Sequence, residues 1–379
     1  MVCRILASAT LLLALSSLPA AAELAETSAR EAILIDASTG TVLFEKNADE
    51  PTYPSSMTKM MTMYLVFEAL AEGHLALDDT LPVSEEAWRM GGSKMFVEVD
   101  TRVSVEDLIQ GVVVQSGNDA TIVLAEGLAG SEAAFAEKMT EKAHELGMTS
   151  SNYRNASGWP DPEHVTTVRD LATIAIRTIE DFPQYYPYYA ETSFTYSDIE
   201  QSNRNPLLYA NMGADGLKTG HTEDAGYGLT ASAIRDGRRL VLVINGVESS
   251  EVRAREGERL LEWGFRETDA YDLLGAGETV TDAEVWLGDS STVPLVLADD
   301  LKITMSRDGR RDMVATAVYQ GPIPAPIVKG MPIATLVIEA PGMPTVEEPL
   351  LAGEDVGELS MFSRVGAAIS YLVFGPSGP

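Results

Sequence analysis

Residues 54–72 read PSSMTKMMTMYLVFEALAE, and the fold turns on how this stretch is taken. Met57, Met60, Met61, Tyr64, Leu65 and Leu70 recur at roughly helical spacing, so a helix is expected over 56–72. Ser56 and Lys59 then stand three residues apart at its start. Residues at i and i+3 share a helix face, which brings the lysine amine within reach of the serine hydroxyl. Ser-x-x-Lys alone arises by chance about once in a chain of this size, where its serine is simply a helix cap. The pair has a chemical reading too. An alcohol is a weak nucleophile until a neighbour takes its proton, and a lysine does so once desolvation and nearby cations lower its pKa. A helix start adds unpaired backbone N–H groups and the positive end of the helix dipole, which favour an oxyanion.

Two more short motifs follow in order, Ser116-Gly-Asn118 and Lys218-Thr-Gly220. Lys-Thr-Gly by itself is a polar turn entering a strand, but chance does not supply all three motifs in this order and spacing. The elements around them are legible. Ala32-Ile-Leu-Ile-Asp36 and Thr41-Val-Leu-Phe-Glu45 flank Ser38-Thr-Gly40 and read as a hairpin, while helical patterns fill 105–114, 120–128 and 132–146, with Gly130 and Gly147 as stops. Tyr227-Gly-Leu-Thr-Ala-Ser-Ala233 and Arg239-Leu-Val-Leu-Val-Ile244 read as strands joined at Asp236-Gly237, and a helix over 252–263 closes the first domain. From 271 to 352 the chain becomes short apolar runs separated by Gly, Pro and Asp, the pattern of a second, all-β domain.

The chain of 379 residues is 45% apolar, enough for two domains with full cores. Arg4, the apolar run Ile5 to Leu15 and the small-residue stretch Leu18-Pro-Ala-Ala-Ala22 together read as a secretory signal peptide, with cleavage expected near Ala22. The single cysteine, Cys3, falls inside that leader, so disulfides, cysteine-ligated zinc and a thiol nucleophile are excluded for the exported chain. His74, His144, His164 and His221 form no H-E-x-x-H or other close pair, and neither a metal nor any other cofactor is expected. A net charge of −30 excludes nucleic acid as a partner. Such acidity fits either a salty environment or an ordinary acidic exported protein.

The constellation resembles the penicillin-recognising serine enzymes, and nearly the whole chain is similar to the low-molecular-mass penicillin-binding proteins that act as D-alanyl-D-alanine carboxypeptidases. The resemblance is carried by Ile33-Leu-Ile-Asp36, Pro54-Ser-Ser-Met-Thr-Lys-Met-Met-Thr62, Gln115-Ser-Gly-Asn-Asp-Ala120, Asn203-Arg-Asn205, Asp215-Gly-Leu-Lys-Thr-Gly-His-Thr222 and Trp263-Gly-Phe265. It implies an α+β fold: a serine β-lactamase/transpeptidase-like domain, with an antiparallel sheet flanked by helices and a helical subdomain, followed by a small all-β domain. The expected divisions are a leader at 1–22, a peptidase domain at 23–267, a β domain at 268–354 and a tail at 355–379. The activity implied is removal of the terminal D-alanine from peptidoglycan stem peptides, with β-lactams as covalent inhibitors.

Carried over residue by residue, the resemblance makes Ser56 the acylated nucleophile and Lys59 its general base. Ser116 relays the proton to the leaving D-alanine, and Asn118 holds the substrate's amide backbone. Lys218 supports the Ser116 hydroxyl, Thr219, Gly220 and His221 line the cleft, and the backbone N–H groups of Ser56 and His221 form the oxyanion hole. Arg204 and Arg253 are the candidates for the substrate's terminal carboxylate. One departure is the stretch 85–94, compact where well-known members carry a longer cleft-side loop, which leaves the deacylation rate open.

A class A β-lactamase is set aside: it has Ser-Asp-Asn in the middle motif, needs a glutamate for deacylation, and lacks the added β domain, and no Glu-x-x-Leu-Asn lies between Asn118 and Lys218. An endopeptidase acting on cross-linked stem peptides stays open, since it differs only on the leaving-group side. A non-catalytic wall-binding scaffold would be marked by a lost nucleophile or base, and neither is lost. In the tail, Phe362, Val365, Ile369, Leu372 and Val373 gather on one helical face over 359–374, so association with the outer surface of the cytoplasmic membrane is expected.

Overall fold

The computed structural model describes residues 26–360. The leader expected at 1–22, and all but the first two residues of the expected tail helix, lie outside the described residues. The opening hairpin is present as β1 (Glu31–Asp36) and β2 (Thr41–Lys46). Far along the chain come β3 (Ala214–Thr222), β4 (Gly226–Arg235) and β5 (Arg238–Val247). The five form one antiparallel sheet in the order β2-β1-β5-β4-β3. Asp236 and Gly237 both have positive φ between β4 and β5, the two-residue turn whose twist suits a hairpin.

The central strands are apolar without a break because both faces are covered. Ile33, Ile35, Val241 and Val243 face one core, and the alternate residues Ala32, Leu34, Leu240, Leu242 and Ile244 face another. On the first face lie α1 (Lys59–Ala71), α2 (Val105–Val113), α3 (Asn118–Ala129), α4 (Glu132–Glu145) and α5 (Val168–Asp181). These helices supply Met60, Phe67, Leu108, Phe135 and Leu171 to the shared core. The second face carries α6 (Ser250–Glu267), through Val252, Leu260 and Leu261. Ser104, Ser131, Thr167 and Ser249 cap helix N-termini with side-chain hydrogen bonds, each worth about 1 kcal/mol. Because β3 is the last strand in the sheet, one of its edges is left for other partners.

The C-terminal β domain begins as α6 ends. Thr268–Leu274 pairs with Leu301–Ser306, and a separate six-stranded sheet encloses Val293, Leu295, Leu336, Ile338 and Leu350. One short helix, Arg307–Arg311, interrupts the expected all-β pattern, because Ser306 caps it by accepting from the Gly309 N–H.

A buried polar clasp joins the two domains. Asp36 Oδ2 accepts from Arg238 Nε and from the Thr304 hydroxyl, each at 2.7 Å, and Oδ1 accepts from Ser38. Arg238 also donates to the Thr268 carbonyl and hydroxyl, both at 2.7 Å. Burial alone raises the Asp36 pKa, but the hydrogen bonds from Ser38, Arg238 and Thr304, with the Arg238 charge, outweigh it and hold the carboxyl below its ordinary value. A depressed carboxylate stabilises the fold fully above its unfolded pKa, and that contribution is lost as pH falls through the folded value. Asp36→Ala should therefore lower stability by about 3–5 kcal/mol, since Arg238 loses its buried partner. Denaturant titration from pH 7 to pH 3 checks this. The gap from wild type should narrow toward the acid end, and a gap independent of pH would contradict the assignment.

Candidate active site

Ser56 lies not on the α-helix itself but on a 3-10 turn, Ser55–Thr58, that leads into α1 at Lys59. The sequence pattern predicts one continuous helix. The tighter turn arises where Ser55, at φ +49, bends the chain sharply after Pro54. With three residues per turn, Ser56 and Lys59 eclipse one another more closely than on an α-helix.

Lys59 is fully buried, and its amine has three partners. Nζ lies 2.8 Å from Ser56 Oγ, 2.8 Å from Asn118 Oδ1 and 2.7 Å from the Ser157 carbonyl. Two of these, an amide oxygen and a backbone carbonyl, only accept. Ser56 Oγ is the one partner that can also donate. A neutral amine has two N–H groups and one lone pair, so it satisfies both carbonyls and still accepts the Ser56 proton. Burial, and then the positive charge of Arg204, pull the Lys59 pKa down to about 7, against smaller opposing effects from Asp119 and Glu132. Hydrogen-bond geometry and electrostatics thus favour the form of Lys59 that works as a base.

Ser116 lies in the sharp link between α2 and α3, and Asn118 opens α3. Ser116 is buried at φ +66, a left-handed conformation that a non-glycine residue adopts only when its surroundings hold it there. Asn118 has internal partners on both ends of its amide. Its Oδ1 holds Lys59 and its Nδ2 donates to the Gly91 carbonyl at 2.9 Å, so the amide is engaged within the protein. Asn118 therefore links the Lys59 amine to the cleft-side loop.

That loop is held by a residue whose role the sequence did not reveal. Asp119 is buried, and its carboxylate accepts from the N–H groups of Met95, Phe96 and Val97 at 2.9, 2.9 and 3.2 Å. Across the cleft, the Asn155 side chain accepts from Gly158 N and Trp159 N and donates to the Trp159 carbonyl. This loop carries the Ser157 carbonyl to Lys59. It passes so close to the 3-10 turn that a Cβ on Gly158, itself at φ +81, would lie 1.7 Å from the Ser55 carbonyl. Only glycine fits.

Strand β3 forms the opposite wall. Gly220 packs against Pro54 and Ser55, where a Cβ would come within 2.9 Å of the Pro54 carbonyl. Lys218 is buried, and burial together with the charges of Lys59, Arg204 and Arg253 drives its pKa well below the usual lysine range. Its amine contacts the Thr219 carbonyl at 3.4 Å; among the described residues no hydrogen bond joins it to the Ser116 hydroxyl, the partner expected of it. Thr219 is buried beside it, and the exposed His221 rests its ring 3.9 Å from that of Tyr227.

Both arginine candidates reach this region. Asn203 and Asn205 brace the segment, Asn203 Nδ2 donating to the Glu191 carbonyl and Asn205 Nδ2 to the Gly216 carbonyl, and Arg204 between them donates to Ser93 Oγ at 2.6 Å. Arg253, on α6, is buried with its guanidinium 5.7 Å from the Tyr227 ring centre, and its Nε has no hydrogen-bond partner among the described residues. A buried cation with an unmet donor is the kind of group that an anionic ligand satisfies.

Comparisons with known proteins agree on one family. A family model described as D-alanyl-D-alanine carboxypeptidase matches residues 18–249, and one described as penicillin-binding protein 5, C-terminal domain, matches 269–358. D-alanyl-D-alanine carboxypeptidase DacC of Escherichia coli (strain K12) is 38% identical over 345 residues, covering 89% of this chain and 86% of that protein. Penicillin binding protein 5 from Haemophilus influenzae superposes with a TM-score of 0.78 at 36% identity, over 88% of this chain and 99% of that one. Penicillin-Binding Protein D2 from Listeria monocytogenes, in an ampicillin-bound form, superposes with a TM-score of 0.59 at 30% identity, over 64% of this chain and 98% of that one.

Proposed function

The chain belongs to the D-alanyl-D-alanine carboxypeptidase family and is a serine-type carboxypeptidase of the penicillin-binding proteins, and we propose that Ser56, Lys59 and Ser116 carry its chemistry on peptidoglycan stem peptides. The observation that supports this most is the 2.8 Å contact between Lys59 Nζ and Ser56 Oγ, made by an amine whose other partners can only accept. In this reading Lys59 takes the Ser56 proton as Oγ attacks the carbonyl between the two D-alanines. The oxyanion is met by the backbone N–H groups of Ser56 and His221. The proton then passes through Ser116 to the leaving nitrogen, the C–N bond breaks and D-alanine departs. Water, activated by the same lysine, frees the acyl-enzyme.

Asn118, Lys218, Thr219, Gly220, His221, Arg204 and Arg253 bind the substrate, the last two meeting its terminal carboxylate, with Arg253 supplying the unmet buried donor. The substrate chain lies along the free edge of β3, a mode of binding that edge strands readily offer. Export to the periplasm and attachment to the outer face of the cytoplasmic membrane through residues 359–374 are supported by sequence pattern alone. No helix among the described residues is long and apolar enough to cross a membrane. Flotation of full-length protein with anionic vesicles, against a chain ending at residue 358, checks the attachment.

The activity is tested by incubating the protein with a monomeric peptide ending in D-Ala-D-Ala and, separately, with cross-linked dimeric stem peptides. Free D-alanine should accumulate from the first much faster than dimers are cleaved in the second. The reverse order would make the protein an endopeptidase.

A further inference from the structure

His164 is a buried side chain outside the acylation chemistry, yet both of its ring nitrogens are engaged. Nδ1 lies 3.2 Å from the backbone nitrogen of Arg154, and Nε2 lies 2.9 Å from Thr58 Oγ1. A backbone N–H only donates, so Nδ1 accepts and carries no proton. The neutral ring therefore bears its proton on Nε2 and donates it to the Thr58 hydroxyl oxygen. Burial lowers the His164 pKa to about 4, opposed by the charge of Asp161 and helped by those of Arg154 and Lys59. A second proton would set a ring N–H against the N–H of Arg154, so the ring stays neutral across the neutral range.

These two contacts join the segments that build the site of the base. Arg154 precedes Asn155, whose side chain accepts from the Gly158 N–H at 2.8 Å and so shapes the turn that brings the Ser157 carbonyl to 2.7 Å from Lys59 Nζ. Thr58 precedes Lys59 and closes the 3-10 turn that carries Ser56. One nitrogen thus grips the loop just before its organising asparagine, and the other grips the turn just before the base. Beneath the imidazole, Asn152 and Val165 close the loop by exchanging both backbone hydrogen bonds, and the Tyr153 ring packs edge-on at 5.5 Å. The far side of the turn is fixed separately, where Ser55 Oγ lies 3.2 Å from Thr222 Oγ1 on β3. Of these two clasps, the one on the loop side also carries a ligand of the base.

We propose that His164 is a positioning residue for the general base, holding the loop that presents the Ser157 carbonyl against the turn that carries Ser56 and Lys59. This role rests on the reading of Lys59 as that base. With both nitrogens engaged inside the protein, the imidazole is not itself an acid or base in the reaction. Its effect reaches the chemistry through the shielding of Lys59. That amine faces the charges of Arg204, Asp119, Glu132 and Lys218, none of which lies in the loop. Burial is the largest cause of its low pKa, so a loosened loop that admits water should move that value upward. Glu132 accepts from the Ala156 N–H of the same loop at 3.0 Å, and a carboxylate freed there would push in the same direction.

The test uses the full-length protein with Thr58→Val, His164→Ala and His164→Gln, following D-alanine release and acylation by benzylpenicillin as functions of pH. Thr58→Val keeps the side-chain shape and removes only the hydroxyl. It and His164→Ala should lower kcat about 10–100-fold with KM nearly unchanged. Their acid limb should also move from about 7 to higher pH, by about half a unit or more. His164→Gln places an amide N–H near the position of Nε2, and should return the rate and the limb most of the way to the wild type. A histidine that served packing alone would lower the melting temperature and leave the limb in place. A limb at the wild-type pH in both Thr58→Val and His164→Ala, whatever their stability, would overturn the positioning role and leave Lys59 as the base. A limb that persisted in Lys59→Ala would overturn the base, and the role of His164 with it.

Discussion

Ser56→Ala is expected to release D-alanine from a D-Ala-D-Ala peptide at least about 10⁴-fold more slowly than the wild type, and to form no adduct with benzylpenicillin. The hydroxyl is the one group at this centre that Lys59 can both hold and deprotonate, so its removal leaves no route to a covalent intermediate. A β-lactam presents a strained amide beside a carboxylate and should acylate the same oxygen. Its leaving group stays tethered and hinders the incoming water, so the wild-type adduct should persist long enough for intact mass measurement and peptide mapping. The alanine variant should melt within a degree or two of the wild type, because the half-buried Ser56 contributes one hydrogen bond and little packing. D-Alanine release at the normal rate by Ser56→Ala would remove nucleophile and mechanism together.

Lys59→Ala should slow acylation by about 10²–10⁴-fold, the range for removing a positioned general base. A pH profile separates this role from a structural one. The Lys59 pKa is lowered to about 7 in the free enzyme, and the amine is active when neutral. The wild-type kcat/KM should therefore rise as pH increases through about 7 and level off above it. In Lys59→Ala that acid limb should vanish, leaving a low and flatter profile. A variant that kept both the rate and the limb would show that another group takes the Ser56 proton.

The geometry of this site was readable where it depends on residues close in sequence, and obscure where it depends on the backbone of distant segments. Ser56 and Lys59 are three apart, and helical spacing alone brings them together. The third partner of Lys59 is the carbonyl of Ser157, 98 residues on, and a carbonyl leaves no mark in the sequence. For the same reason the work of Asp119 was hidden, since its partners are the backbone N–H groups of a loop more than twenty residues earlier. Asn118 was expected to hold the substrate; it also binds the Lys59 amine, which only the fold reveals. The sheet was legible because β1 and β5 carry continuous apolar runs bounded by turn residues. The clasp around Asp36 was not, because it unites four segments that no periodicity connects.

The three contacts that saturate the Lys59 amine also bear on drug resistance. Peptide and antibiotic are expected to use the same oxygen, the same base and the same carbonyls that hold it. A substitution at Ser56, Lys59, Asn118 or Gly158 that repelled a β-lactam would equally disable turnover of the natural substrate. Mutants selected for growth in penicillin should leave those four positions unchanged and accumulate at the rim, where the two molecules differ in shape.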